Sequence, residues 1–110
     1  MNNKLTPIQT GIMITGLITA FIHAVYLNIA MDGIDVMFTL NGLGYIALLG
    51  AYFLPAFKKY HAPIRWLFIG YTAITIIAWF ILGNTGWWVG WVTKLDEIAL
   101  IGLLFADKPA

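Results

Sequence analysis

Val92–Gly102 reads VTKLDEIALIG. It places Lys94, Asp96 and Glu97 inside the last apolar segment of the chain. Its reading decides whether three or four helices cross a bilayer. A lone charge at the centre of a spanning helix costs about 2.5–3.5 kcal/mol on insertion scales. Residues three apart are neighbours on one helical face, so Lys94 and Glu97 can share that cost as a pair. The stretch therefore reads as part of a fourth span, Trp88–Phe105, with a polar network turned into a bundle. Asp96 falls almost opposite Lys94 on the same helix. A partner subunit, water, or a bend in the helix would each accommodate it.

The rest of the chain supports the membrane reading. Of 110 residues, 61% are apolar and 10% are charged. A soluble domain is about half apolar and about a quarter charged, and one this small exposes much of its surface. A bilayer removes the conflict by solvating apolar side chains from outside. A span needs about 20 mainly apolar residues. Besides Trp88–Phe105, three segments qualify: Ile8–Ile29, Val36–Leu54 and Ile64–Gly83. The first reads as an uncleaved span rather than a signal peptide, because it is long and has Ile18 or Ile22 upstream of any small-residue cleavage site. The connections MDGID (Met31 to Asp35), PAFKKYHAP (Pro55 to Pro63) and NTGW (Asn84 to Trp87) are short. Short connections make consecutive helices antiparallel neighbours. The expected fold is all-α: a four-helix transmembrane bundle, up-down-up-down, forming a single membrane domain over residues 1–110.

Lys58, Lys59 and Arg65 flank the second connection, Lys4 precedes the first span and Lys108 follows the fourth. The first and third connections hold no lysine or arginine. The positive-inside rule then puts both termini and the second connection in the cytoplasm of a multi-pass protein of the cell (plasma or inner) membrane. Trp87 and Trp88 suit the outer interface, and Tyr60 and Trp66 the inner one.

Polar residues gather at one depth. His23 lies within about two turns of the outer end of its span, as do Asn41 and Lys94, with Glu97 one turn deeper. Helical phase puts Gly16, Thr19, Ala20, His23 and Tyr26 on one side of the first span. Asn41, Gly44, Tyr45, Leu48 and Tyr52 share a side of the second. Phe68, Thr72, Thr75 and Trp79 do so on the third. Small and hydroxyl residues favour helix contacts in lipid, so these faces are expected to turn inward. His23, Asn41, Lys94 and Glu97 form the candidate buried polar network, with His23 and Asn41 completing the hydrogen bonding of the pair and Asp96 as a candidate second polar site. Tyr45, Trp79 and Trp91 form a candidate apolar pocket.

Several functions are excluded by residue type. Cysteine is absent, which removes disulfides, thiolate metal sites and cysteine nucleophiles. A near-zero net charge without a basic cluster gives no nucleic-acid footprint. No catalytic or phosphate-binding motif occurs, so the chain does not read as an enzyme. LNGLGY (Leu40 to Tyr45) lacks the strand–loop–helix setting of a nucleotide fingerprint and reads as a site of tight helix packing. His23 and His61 fall on opposite sides of the membrane and cannot pair on one haem. Asp32 and Asp35 read as a solvated turn or a weak cation site. No metal site and no cofactor are expected.

LNGLGYIALLGAYFLP, IRWLFIGYTAITIIAWFILG and TKLDEIALIGLL together resemble a group of small, uncharacterised prokaryotic four-span integral membrane proteins. The resemblance covers the second to fourth spans. It implies the same fold and a cell-membrane location, and no activity. Small multidrug resistance transporters are similar in length and span number. Their proton- and substrate-binding glutamate lies in the first span, where this chain has no acidic residue.

Three functions follow as expectations. The first is an accessory or structural membrane protein, working through helix-face contacts with a second copy or a larger membrane complex in the lipid bilayer. The second is a proton-coupled or ion/solute transporter, acting as an oligomer through His23, Lys94 and Glu97. The third is a bundle binding a quinone or another hydrophobic ligand against Tyr45, Trp79 and Trp91.

Overall fold

The computed structural model describes residues 5–30, 32–83 and 85–107. Lys4 and Lys108 of the charge argument, and Met31 and Asn84 of two connections, lie outside the described residues. All regular structure among the described residues is helical. There are four long helices: α1 (Pro7–Ala30), α2 (Val36–Phe53), α3 (His61–Leu82) and α4 (Trp88–Ala106).

Local chemistry explains where α1 and α2 begin. Thr6 and Gln9 exchange hydrogen bonds at 3.1 Å, each side chain accepting from the other's backbone N–H, and Pro7 occupies the first helical position. This reciprocal cap satisfies donors that the first turn leaves free. Asp35 caps α2 by accepting from Phe38 N–H at 2.9 Å. Asn28 binds the α1–α2 connection: its Oδ1 accepts from Asp35 N–H and its Nδ2 donates to Thr39 Oγ1, both at 2.8 Å. In that connection Gly33 is the sequence's turn signal, yet Asp32 takes the left-handed conformation, with φ 56°. Aspartate is among the few residues that tolerate it.

Two departures from the sequence reading concern helix shape. Ile22–Tyr26 form a π-helical turn inside α1, in which Leu27 N–H bonds back to Ile22 C=O. The wider turn swings Tyr26 off the inner face where ideal periodicity puts it: Tyr26 is exposed and Leu27 is buried instead. The stretch expected as a loop before α3 is also helical. Pro55–Tyr60 make 3₁₀ turns, and α3 starts at His61 rather than Ile64. Pro63 then sits in the first turn of α3, where a missing N–H loses no intrahelical bond.

α1 packs on α2 and α4, and α3 packs on the same two helices. Ile12, Tyr45, Phe68, Leu100 and Leu104, drawn from all four, form the buried centre. The end of α4 is tied to two neighbours. Arg65 of α3 donates to Leu104 C=O (2.6 Å) and Phe105 C=O (3.0 Å), satisfying carbonyls the helix leaves open. Tyr52 of α2 donates to the buried Asp107. Tyr52→Phe leaves that carboxylate oxygen without its donor, at an expected cost of about 1–3 kcal/mol. Faster amide hydrogen exchange in the last turn of α4 is the readout.

α1, α2 and the stretch Pro55–Leu82 are long and apolar enough to cross a membrane. α4 has the length but carries Lys94, Asp96 and Glu97, so composition does not place it with the other three. The charges of the pair are not on its outer face, however. Lys94 and Glu97 are 3% and 0% exposed, whereas Trp91, Leu95, Ile98 and Phe105 are exposed.

Candidate functional site

Glu97 organises the interior. One carboxylate oxygen pairs with Lys94, one turn earlier on α4. The other accepts from Thr19 Oγ1 of α1 at 2.8 Å and from Tyr45 Oη of α2 at 3.3 Å. Both carboxylate oxygens are thus engaged, as a charge this deep requires. Lys94 Nζ also lies 5.8 Å from the centre of the Trp79 ring on α3, within cation–π reach.

The hydroxyl hydrogens fix the orientation of two further side chains. Thr19 spends its hydrogen on Glu97, so it can only accept from His23 Nδ1, 3.2 Å away. Nδ1 also lies 2.8 Å from Thr19 C=O, which again can only accept. His23 therefore carries its proton on Nδ1. In the neutral ring its Nε2 is then an acceptor, with no hydrogen bond among the described residues. Thr75 gives its hydrogen to Tyr71 C=O at 2.9 Å, so the Asn41 group 3.1 Å from Thr75 Oγ1 must be the amide NH₂. The remaining atom, Asn41 Oδ1, is buried and has no partner among the described residues.

A cavity of about 440 Å³ opens where the α1–α2 and α3–α4 connections lie. Asp35, Phe38, Trp79, Leu82 and Trp87 are among its lining residues. Lys94, His23 and Asn41 line it, whereas Glu97, fully buried, does not.

The structure distributes the expected residues differently from the sequence reading. His23, Asn41 and Lys94 do share one region, with Glu97 behind Lys94. His23 and Asn41, however, do not complete the hydrogen bonding of the pair. Thr19 and Tyr45 do, and His23 reaches Glu97 only through Thr19. Asn41 belongs to a separate contact between α2 and α3, where Tyr71 Oη also donates to its backbone C=O at 2.8 Å. The candidate apolar pocket is divided. Trp79 and Trp91 meet edge to face at 4.9 Å, and Trp91 donates to Thr85 C=O. Tyr45 is instead enclosed in the core, against Phe68 and Tyr71. Asp96 joins neither group, and its Oδ2 is buried without a partner among the described residues. His61 packs on Tyr52, at the end of α2 away from Asn41. The role of Thr19 had one sequence signal, its place one turn before His23 on the same face.

No protein-family model matches this chain, and no match was found among curated proteins or solved structures.

Proposed function

We propose that this chain is a small multi-pass protein of the cell membrane, serving as an accessory or structural protein whose outward helix faces meet lipid and other membrane helices. Glu97 is the observation that carries the reading. Its carboxylate accepts from α1, α2 and α4 at once, which is what a register lock between helices needs. α4 takes its place as the fourth span because its pair faces inward and its outer surface is apolar. The bundle is 47 Å long, close to a bilayer with its headgroups, about 40–45 Å. Arg65 near the start of α3 reaches the end of α4, and Trp79 near the end of α3 meets Trp91 near the start of α4. Both contacts support an up-down-up-down order.

Lys58, Lys59 and Arg65 share one end of the bundle, which supports cytoplasmic termini. The absence of cysteine makes this directly measurable. In intact cells, a membrane-impermeant maleimide is expected to label Thr85→Cys and to label Lys58→Cys only after lysis. The opposite pattern reverses the topology. The accessory role is tested by cross-linking in the native membrane followed by purification. A strict monomer without a recovered partner removes it.

The cavity lined in part by His23 and Lys94 favours a second reading, an oligomeric proton-coupled carrier using His23, Lys94 and Glu97. Flux in sealed vesicles that Glu97→Gln leaves unchanged removes that one.

A further inference from the structure

The lock around Glu97 leaves part of the cavity's polar surface unused. Lys94 has three N–H donors, of which the pair with Glu97 engages one acceptor. His23 Nε2 and Asn41 Oδ1 are acceptors, by the hydrogen counting above. All three residues line the same cavity, and Asn41 Oδ1 is buried. A buried acceptor without a donor is costly, and a ligand can supply the donor. The volume, about 440 Å³, falls within the usual range for small-molecule sites, about 300–1,000 Å³.

The donor pattern selects the head group. A carboxylate or phosphate would compete with Glu97 for Lys94 and would offer no proton to His23 or Asn41. A cation would meet Lys94. A neutral hydroxyl both gives and takes a hydrogen bond, so it suits one donor set beside two acceptors. The walls select the body. Phe38, Trp79 and Trp87 present aromatic surface, with Leu27, Leu82 and Val89 between them. Aromatic rings pair well with a flat ring in offset or edge-to-face contact.

We propose that this cavity binds a neutral hydroxylated aromatic amphiphile, a hydroquinone or phenol ring on an apolar tail. A ring hydroxyl donates to His23 Nε2 or Asn41 Oδ1, and a ring oxygen accepts from Lys94. The site goes beyond the structural role of Glu97, and that role stands whether or not the site is used.

The test is calorimetric titration of the full chain in lipid nanodiscs, with empty nanodiscs subtracted. The probes are decyl hydroquinone, decanoate and decylbenzene. Saturable hydroquinone binding is expected, with the other two at least about tenfold weaker, a difference of one good hydrogen bond. At least one of Asn41→Leu and His23→Phe is expected to weaken hydroquinone about tenfold while leaving decylbenzene unchanged. Asn41→Leu keeps the Tyr71 bond, which is to backbone, and thermal unfolding above the assay temperature establishes that both variants are folded. The comparison of the three probes on the native chain decides the head group without any variant. No heat above empty nanodiscs, equal binding of the three probes, tighter decanoate, or hydroquinone affinity unchanged in both folded variants would each overturn the proposal.

Discussion

Glu97→Gln in lipid nanodiscs is expected to cause the largest loss of stability of any isosteric change in the chain. Two effects contribute, and their sizes differ. Hydrogen bonds between membrane helices average about 0.6 kcal/mol, so the bonds from Thr19 and Tyr45 account for little. Leaving Lys94 charged, buried and unpaired costs about 3–5 kcal/mol. The unfolding temperature should fall by on the order of 10 °C. Lys94→Met alone should also destabilise, since it strands the carboxylate. The double variant Lys94→Met/Glu97→Gln should recover most of the loss, because no buried charge remains. Thr19→Val removes the bond to Glu97 and the longer one from His23 Nδ1, which keeps Thr19 C=O, and should cost only about 0.6 kcal/mol per bond. Single variants as stable as the native chain, or more so, would mean that the pair is kept at the expense of stability. The register lock then fails as an explanation, and the transport reading leads.

The second large effect is expected at Gly42, and its sign depends on the neighbours. A Cβ there would stand 2.7 Å from Ala20 C=O, from Ala24 N and from Ala24 Cβ, and none of these can rotate away. α1 and α2 must separate to admit it. Overpacking of this kind costs about 1–3 kcal/mol, against about 1 kcal/mol gained from replacing a helical glycine. Gly42→Ala is therefore expected to destabilise, and Gly42→Leu to prevent α1 from docking. Gly16→Ala should be milder, because the atoms nearest its Cβ belong to the side chain of Leu49, which has other rotamers. A Cβ at Gly70 or Gly102 would meet nothing within 4 Å, so alanine there should stabilise by up to about 1 kcal/mol. Thermal unfolding of the four alanine variants checks the order. Equal shifts at Gly42 and Gly70 would contradict the close approach of α1 and α2.

The contrast between what is and is not legible in the sequence follows from range. Apolar runs are local, so each of the four segments can be recognised, and each is helical. The pairing of Lys94 with Glu97 is also local, since it needs only a few residues of one helix. The hydrogen-bond donors to Glu97 come from other helices and depend on how those helices are rotated. Ideal phase identifies Thr19 as inward-facing but cannot aim it at Glu97 in particular. Tyr45 reads as pocket lining because its ring is apolar, whereas its hydroxyl determines its place. Along α2, the polar side toward α3 is visible as Asn41 and Gly44. The tight packing of LNGLGY is legible too, but not that Gly42 and Leu49 face α1 while Gly44 faces α3, since the two glycines carry the same signal. Periodicity misplaces Tyr26 because a π-helical turn breaks the period. Asp107 lies beyond the last apolar segment, and nothing in its surroundings signals the bond to Tyr52.

Glu97 follows α1 and α2 along the chain, and that order bears on biogenesis. Chains are made from the N-terminus, and the earlier segments are available to fold first. α1 and α2, which join through Gly42 and Gly16 without needing any charge, can meet before α4 leaves the ribosome. Thr19 and Tyr45 are then already positioned when the helix bearing the lysine and the carboxylate docks. As a fourth span, the segment that is hardest to insert alone would come after the two helices whose hydroxyls receive it.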